Sequence, residues 1–168
     1  IKGIVTSIAA SESGYWVQDD DGAAFILSPR AKSDPGYVRL GEQVEVEGVT
    51  DPGHFGPCVK LSNVRVVGSG PLPVPKLIAV ENLLQGAHDG ERVDLTGHVV
   101  SLSAQDDGTP RLTLVIHGYR LPVILLDTFP YEAATLLDTE IRVTGSTSLT
   151  FNRFRQFTGV VFNVDGLK

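Results

Sequence analysis

Lys2-Gly3-Ile4-Val5-Thr6-Ser7 and, further on, Val44-Glu45-Val46-Glu47-Gly48-Val49-Thr50 form a pattern that the chain uses twice. Its second occurrence is Thr96-Gly97-His98-Val99-Val100-Ser101, followed by Glu140-Ile141-Arg142-Val143-Thr144-Gly145-Ser146. The glycines are 45 residues apart in the first copy (48 minus 3) and 48 apart in the second (145 minus 97). A period of about 95 residues that preserves its internal spacing signals two copies of one small β domain. In Val44-Glu45-Val46-Glu47 the strict alternation puts valines on one face and glutamates on the other, the mark of a half-buried strand.

Outward from these stretches, the first copy reads as short strands with turn punctuation. Gly3 to Ile8 is a strand, Ser11-Glu12-Ser13-Gly14 a turn, and Tyr15-Trp16-Val17-Gln18 a second strand rich in aromatic and β-branched residues. Asp19-Asp20-Asp21-Gly22 supplies a tight turn, and Ala23 to Leu27 returns as the third strand. Ser28 to Leu40, with Pro29, Pro35 and Gly36, is a loop; Cys58 to Val67 is the last strand, after turns at Asp51-Pro52-Gly53 and Gly56-Pro57.

Five short strands closing on themselves within about 70 residues is what an OB-fold requires. Gly3-x-Val5, Trp16-Val17-Gln18-Asp19, Gly22, Phe25-Ile26 and Leu40-Gly41-Glu42-Gln43-Val44-x-Val46-x-Gly48 resemble the pattern shared by many bacterial OB-fold domains. Glycines suit barrel bends, where strands coil sharply. The expected fold is all-β: two tandem five-stranded OB-fold barrels, with a short helix in or between them. Residues 1–70 form the first barrel and residues 90–168 the second.

Residues 71–89 are read as a linker and helix. Pro71, Pro73 and Pro75 alternate, which makes the linker extended and stiff, and Ala79 to Gln85 reads as a two-turn helix ended by Gly86. Its apolar residues are expected to cover the opening of the second barrel. In the second copy, Arg92 to Gly97 is the first strand and Asp106-Asp107-Gly108 a hairpin turn. Arg111 to Ile116 pairs with Tyr119 to Leu125 across His117-Gly118. Pro130 to Leu137 reads as a helix, and Asp138 to Gly145 and Gln156 to Val164 complete the barrel.

Composition bounds the function classes. With 42% apolar and 20% charged residues, the 168-residue chain is globular rather than disordered. No apolar run approaches the roughly 20 residues that cross a bilayer; Leu121 to Leu126 is broken by Pro122 and ends at Asp127. The sequence has no methionine, even at position 1, which predicts a piece of a longer or processed chain. Cys58 is the only cysteine, so neither an intrachain disulfide nor a cysteine-based metal cluster forms. The net charge is −6, from 7 basic and 11 acidic residues in 1–89 (−4) and 7 and 9 in 90–168 (−2). That balance disfavours a nucleic-acid partner, because such binders meet phosphates with lysine and arginine.

Catalytic and metal constellations are lacking. Asp19-Asp20-Asp21-Gly22 resembles the start of a calcium loop, but Arg30 stands where the bidentate Glu belongs, so a solvated turn is the better reading. His54, His88, His98 and His117 make no zinc-type pair, and no Gly-x-Ser-x-Gly elbow occurs. No cofactor and no enzymatic activity are expected.

Binding candidates fall in two places. OB-folds bind on the face of strands two and three, which points to Tyr15, Trp16 and Phe25. Alternation puts Tyr15 and Val17 on one face and Trp16 and Gln18 on the other, so only one ring of the pair can be a platform. The equivalent strand of the second copy, Arg111 to Ile116, has no aromatic. The second place is the last loop, where Arg153 and Arg155 alternate with Phe154 between Phe151 and Phe157. Arginine there suits phosphate or carboxylate and stacks on rings. The alternative is that Asp138 or Glu140 binds the arginines and the phenylalanines join the core. At the matching place the first copy has His54-Phe55-Gly56-Pro57, without arginines.

Two barrels, a proline-rich linker and Arg155-Gln156-Phe157-Thr158-Gly159 resemble the extracytoplasmic input regions of bacterial sensor histidine kinases and diguanylate cyclases. The resemblance implies a periplasmic, non-catalytic module of a membrane-anchored signalling protein. It would bind a small molecule or a protein and meet the membrane only through segments outside this chain. The alternative expectation is a single-stranded nucleic-acid-binding OB-fold protein, supported by Trp16, Tyr15, Phe25 and the arginine loop.

Overall fold

The computed structural model describes residues 1–9, 14–30, 37–53, 56–104, 109–125 and 133–167. The chain divides into two compact units, Ile1–Val74 with Arg153–Gln156, and Pro75–Asn152 with Phe157–Lys168. In the first unit, strands β1 (Lys2–Ile8), β2 (Gly14–Gln18), β3 (Ala23–Leu27), β4 (Glu42–Asp51) and β5 (Cys58–Ser69) close a barrel in the order β1-β2-β3-β5-β4. Only β3 and β5 run parallel, with Ile26 opposite Val59 and Leu27 opposite Lys60.

The second unit opens with a two-residue strand, β6 (Lys76–Leu77), and a helix, α1 (Val80–Leu84). It continues through β7 (Arg92–Ala104), β8 (Pro110–Ile116), β9 (Tyr119–Leu125), a 3-10 turn (Ala133–Leu136), β10 (Glu140–Phe151) and β11 (Phe157–Leu167). The pairing order is β7-β8-β9-β11-β10, and β10 returns to β7, so the second barrel repeats the first strand for strand. Its one parallel pair within the five-stranded closure, β9 with β11, matches β3 with β5. β6 adds in parallel at the start of β7. Two tandem five-stranded OB-fold barrels are therefore the architecture.

The repeated glycines sit where the strands bend. The ladder slips between Glu47 and Gly48 in the first barrel and between Thr144 and Gly145 in the second. A Cβ on Gly48 would lie closer than 3.0 Å to the Lys60 carbonyl oxygen, and one on Gly145 equally close to that of Asn163. The first strands also slip at matching places, between Val5 and Ser7 and between Val99 and Ser101. Bulges of this kind bend a strand and increase its twist, which is how a few strands close a small barrel.

Long bulged strands also explain where the sequence reading fell short. β7 runs to Ala104 and β10 to Phe151, beyond the ends read from alternation alone. Besides β6, β7 serves two barrel neighbours: Arg92 to His98 pair with β10, and His98 to Ala104 with β8. The helix expected up to Leu137 is, in its described part, a single 3-10 turn at Ala133–Leu136. Residues 130–132, 11–13, 35–36, 54–55 and 106–108, on which other readings fell, lie outside the described residues. Helix α1 falls inside the expected stretch but is shorter, five residues rather than two turns. Gly86 follows it at φ +86°, and Val80 and Leu83 are fully buried in the second core.

Each barrel has its own core. Val5, Tyr15, Val17, Ile26, Val44 and Val46 fill the first; Val93, Leu112, Leu114, Leu121, Val123 and Phe162 anchor the larger second. Ion pairs then lock the second barrel's seams. Arg142 of β10 donates from Nε to Asp94 Oδ2 of β7 at 2.9 Å, and Thr144 donates to Asp94 Oδ1 at 3.2 Å. Arg92 grips Asp165 with both ends of its fork, at 2.8 and 2.9 Å. Between α1 and β7, Asp89 accepts a hydrogen bond from the Leu149 N–H at 3.2 Å. Burial pushes its carboxyl up to about 6, against the opposing pull of the Leu149 and Gly90 N–H groups.

Two outcomes follow for stability. Gly145→Ala forces a methyl group against the Asn163 backbone, and overpacking of this kind costs about 1–3 kcal/mol. A thermal melt is expected to show a clear fall in midpoint; an unchanged midpoint would mean that the strands part freely at the bulge. Asp89 carries a raised pKa, so its ionised form destabilises the fold. That cost is absent below the ordinary value of 3.8, grows as pH rises to about 6 and is complete above it. Asp89→Asn keeps the acceptor oxygen and removes the charge. Urea titrations should find the variant more stable than the parent at pH 7, by ~2 kcal/mol, and equal to it near pH 4. Equal stability at pH 7 would refute this account.

Candidate functional site

Alternation along β8 sends Leu112, Leu114 and Ile116 into the core and leaves Arg111, Thr113 and Val115 on the outer face. Along β9 it buries Leu121, Val123 and Leu125 and turns Arg120, Pro122 and Ile124 outward. The register sets Arg111 opposite Ile124, Thr113 opposite Pro122 and Val115 opposite Arg120. This outer face carries two arginines at opposite corners of a small apolar floor. They line one open groove of about 460 Å³ together with Pro122, Leu84 of α1, and Thr150 and Thr158. Thr158 donates its hydroxyl to Thr150 at 3.1 Å, which leaves the Thr150 proton free to point at a ligand.

The electrostatics of the second unit are segregated. Lys76, Arg92 and Arg142 pair with Glu91, Asp165 and Asp94. Among the described residues, Arg111, Arg120, Arg153 and Arg155 have no carboxylate partner. In the second unit the arginines left over after the structural pairs are therefore those on β8 and β9.

That connection is a hairpin tip. The Arg153 guanidinium carbon lies 4.7 Å from the centroid of the Phe154 ring. Phe151 and Phe157 meet edge to face at 6.0 Å, and Arg155 holds φ at 63°. Phe154 is 66% exposed and Phe157 44%, so neither ring is a core residue. Asp138 and Glu140 do not bind the tip arginines, contrary to the alternative considered from sequence.

In the first barrel, Trp16 and Phe25 stand opposite each other on β2 and β3, both half-buried, with ring centroids 5.2 Å apart. The Phe25 ring also fills the space over Gly14. Tyr15 requires a correction as a binding candidate. It is 1% exposed and packs edge to face on Tyr37 at 5.9 Å inside the core. Burial, aided by Tyr37 and opposed by Arg30, pushes its phenol up to about 12, and its hydroxyl has no hydrogen-bond partner among the described residues. It cannot serve as a stacking platform.

The remaining candidates are where the sequence put them. His98 is an exposed strand residue, and His117 sits in the β8–β9 turn at φ 51°. Asp19 caps its own turn, accepting from the Asp21 and Gly22 N–H groups at 3.0 and 3.2 Å. Among the described residues no group of three His, Cys, Asp or Glu could hold a metal ion. What sequence reasoning missed is Arg111 and Arg120. Their signal is alternation: Arg111-Leu112-Thr113-Leu114 and Arg120-Leu121-Pro122-Val123 place both arginines outward.

Neither a protein-family model nor a curated protein matches the sequence. Among solved structures, the chain is similar to the tetrameric p202 HIN2, with TM-score 0.41, 12% identity, and coverage of all of this chain and 88% of that one. It is similar to the Ifi202 HINa domain in complex with 20-bp double-stranded DNA, with TM-score 0.38, 8% identity, and coverage of 100% and 94%. A single-stranded DNA-binding protein from Thermus aquaticus, a deletion mutant, matches with TM-score 0.34 and 14% identity over 99% and 90%. These findings correct the expected identity. The matched structures are HIN domains and a DNA-binding protein rather than input regions of sensor kinases or diguanylate cyclases, and the bacterial signalling reading is not retained.

The Tyr15 assignment has a direct check. Removing a buried hydroxyl that lacks a partner relieves a desolvation penalty. Tyr15→Phe is expected to melt at the same temperature as the parent or higher. A drop of several degrees would show that the hydroxyl is satisfied in solution.

Proposed function

We propose that the outer face of β8 and β9 binds a single-stranded nucleic acid. The observation that carries this reading is the pair Arg111 and Arg120, lining one groove with no carboxylate partner among the described residues. A planar guanidinium fork matches phosphate geometry, and proteins that follow single strands do so along positively charged grooves. Thr150, whose oxygen accepts from Thr158, adds a hydroxyl donor at the same groove.

The acidic composition is no obstacle to this reading. A net charge sums over a whole chain, whereas a ligand meets the local field. In the second unit Asp94, Glu91 and Asp165 are engaged with Arg142, Lys76 and Arg92, and none of the six lines the groove.

Fluorescence anisotropy of a labelled oligothymidine, at low and at moderate salt, tests it. Micromolar binding that weakens with salt is expected. Each phosphate contact on a single strand contributes about −0.7 to the log–log salt slope. The double variant Arg111→Ala, Arg120→Ala should bind at least about tenfold more weakly and flatten the slope by about 1.4, two contacts at that value. Absence of binding at low salt would overturn the proposal.

A further inference from the structure

The rings and the cations of this chain are in different situations. Trp16 is paired with Phe25, Phe151 with Phe157, and Phe154 carries the Arg153 guanidinium. Tyr15 and Phe162 are buried. Tyr119 is 44% exposed, but alternation puts it on the opposite side of β9 from Arg120 and Pro122. Each exposed or half-buried ring named here is thus engaged within the chain or faces away from the groove. The groove-lining arginines have no such engagement.

The floor between them is correspondingly plain. Thr113, Val115, Pro122 and Ile124 offer one hydroxyl and no amide or carboxylate with which to read a base edge. Strand geometry puts the Arg111 and Arg120 Cα atoms ~14 Å apart, four residues along and one strand across, with room for more than one phosphate between them. From these observations, and resting on the nucleic-acid reading above, we infer that the groove recognises the sugar–phosphate backbone and leaves the bases unread. Binding on β8 and β9 is phosphate-led, without the base stacking that usually supplies affinity to single-strand binders.

A competition experiment separates this inference from the reading it rests on. Labelled oligothymidine is bound to the full chain and displaced by unlabelled oligothymidine or by an abasic oligodeoxynucleotide of the same length. The abasic strand is expected to compete within about threefold, since no stacked base, worth at least about fivefold each, is lost. Oligothymidine binding that the abasic strand displaces ten or more times less well would overturn the inference while leaving the groove in place. Failure of oligothymidine to bind at all would overturn both.

Discussion

Closure of each barrel depends on one backbone contact: a glycine that lets a long strand press against its neighbour and bend there. At Gly145 the approach to Asn163 leaves no space for a side chain, and Gly48 repeats the approach at Lys60. The bend lets β10 pair with β7 along one half and with β11 along its length, so the sheet returns on itself. Once the register is fixed in this way, the facing of every other residue follows. A one-residue slip would exchange the buried leucines of β8 for Arg111 and Thr113. The face proposed to bind is thus a consequence of how the strands coil.

How much of this was legible in the sequence divides along the range of the physics involved. Spaced glycines, the Val44–Glu47 alternation, the β8–β9 hairpin and helix α1 are local signals, and their elements formed. Strand lengths were underestimated because a bulge restarts the alternation, as it does between Val99 and Ser101. Tyr15 and Trp16 were correctly set on opposite faces; what alternation alone could not supply was which face closes around a core.

The arginines show the limit most clearly. In sequence, Arg92, Arg111, Arg120 and Arg142 are alike: each stands on a strand beside apolar residues. Their difference lies in partners 73 residues away for Arg92 and 48 for Arg142. Only a closed barrel brings those carboxylates to the first and last of the four. The charge sum obscured this, since it counts Asp94 and Asp165 as though they faced solvent and would repel a polyanion. Both are side chains at least nine-tenths buried, engaged on the barrel seams.

The two copies have diverged on the face that the fold presents. At matching strands the first barrel sets Trp16 against Phe25, and the second sets Arg111 and Arg120 around Pro122. A ring pair stabilises its own sheet through cross-strand contact, so Trp16 and Phe25 are accounted for by the fold. Two outward arginines have no such account. Their charges gain nothing from the core beneath, and among the described residues no carboxylate offsets them. Of the two equivalent faces, the second is the one whose residues the fold leaves unexplained, and that is the physical ground for placing the ligand there.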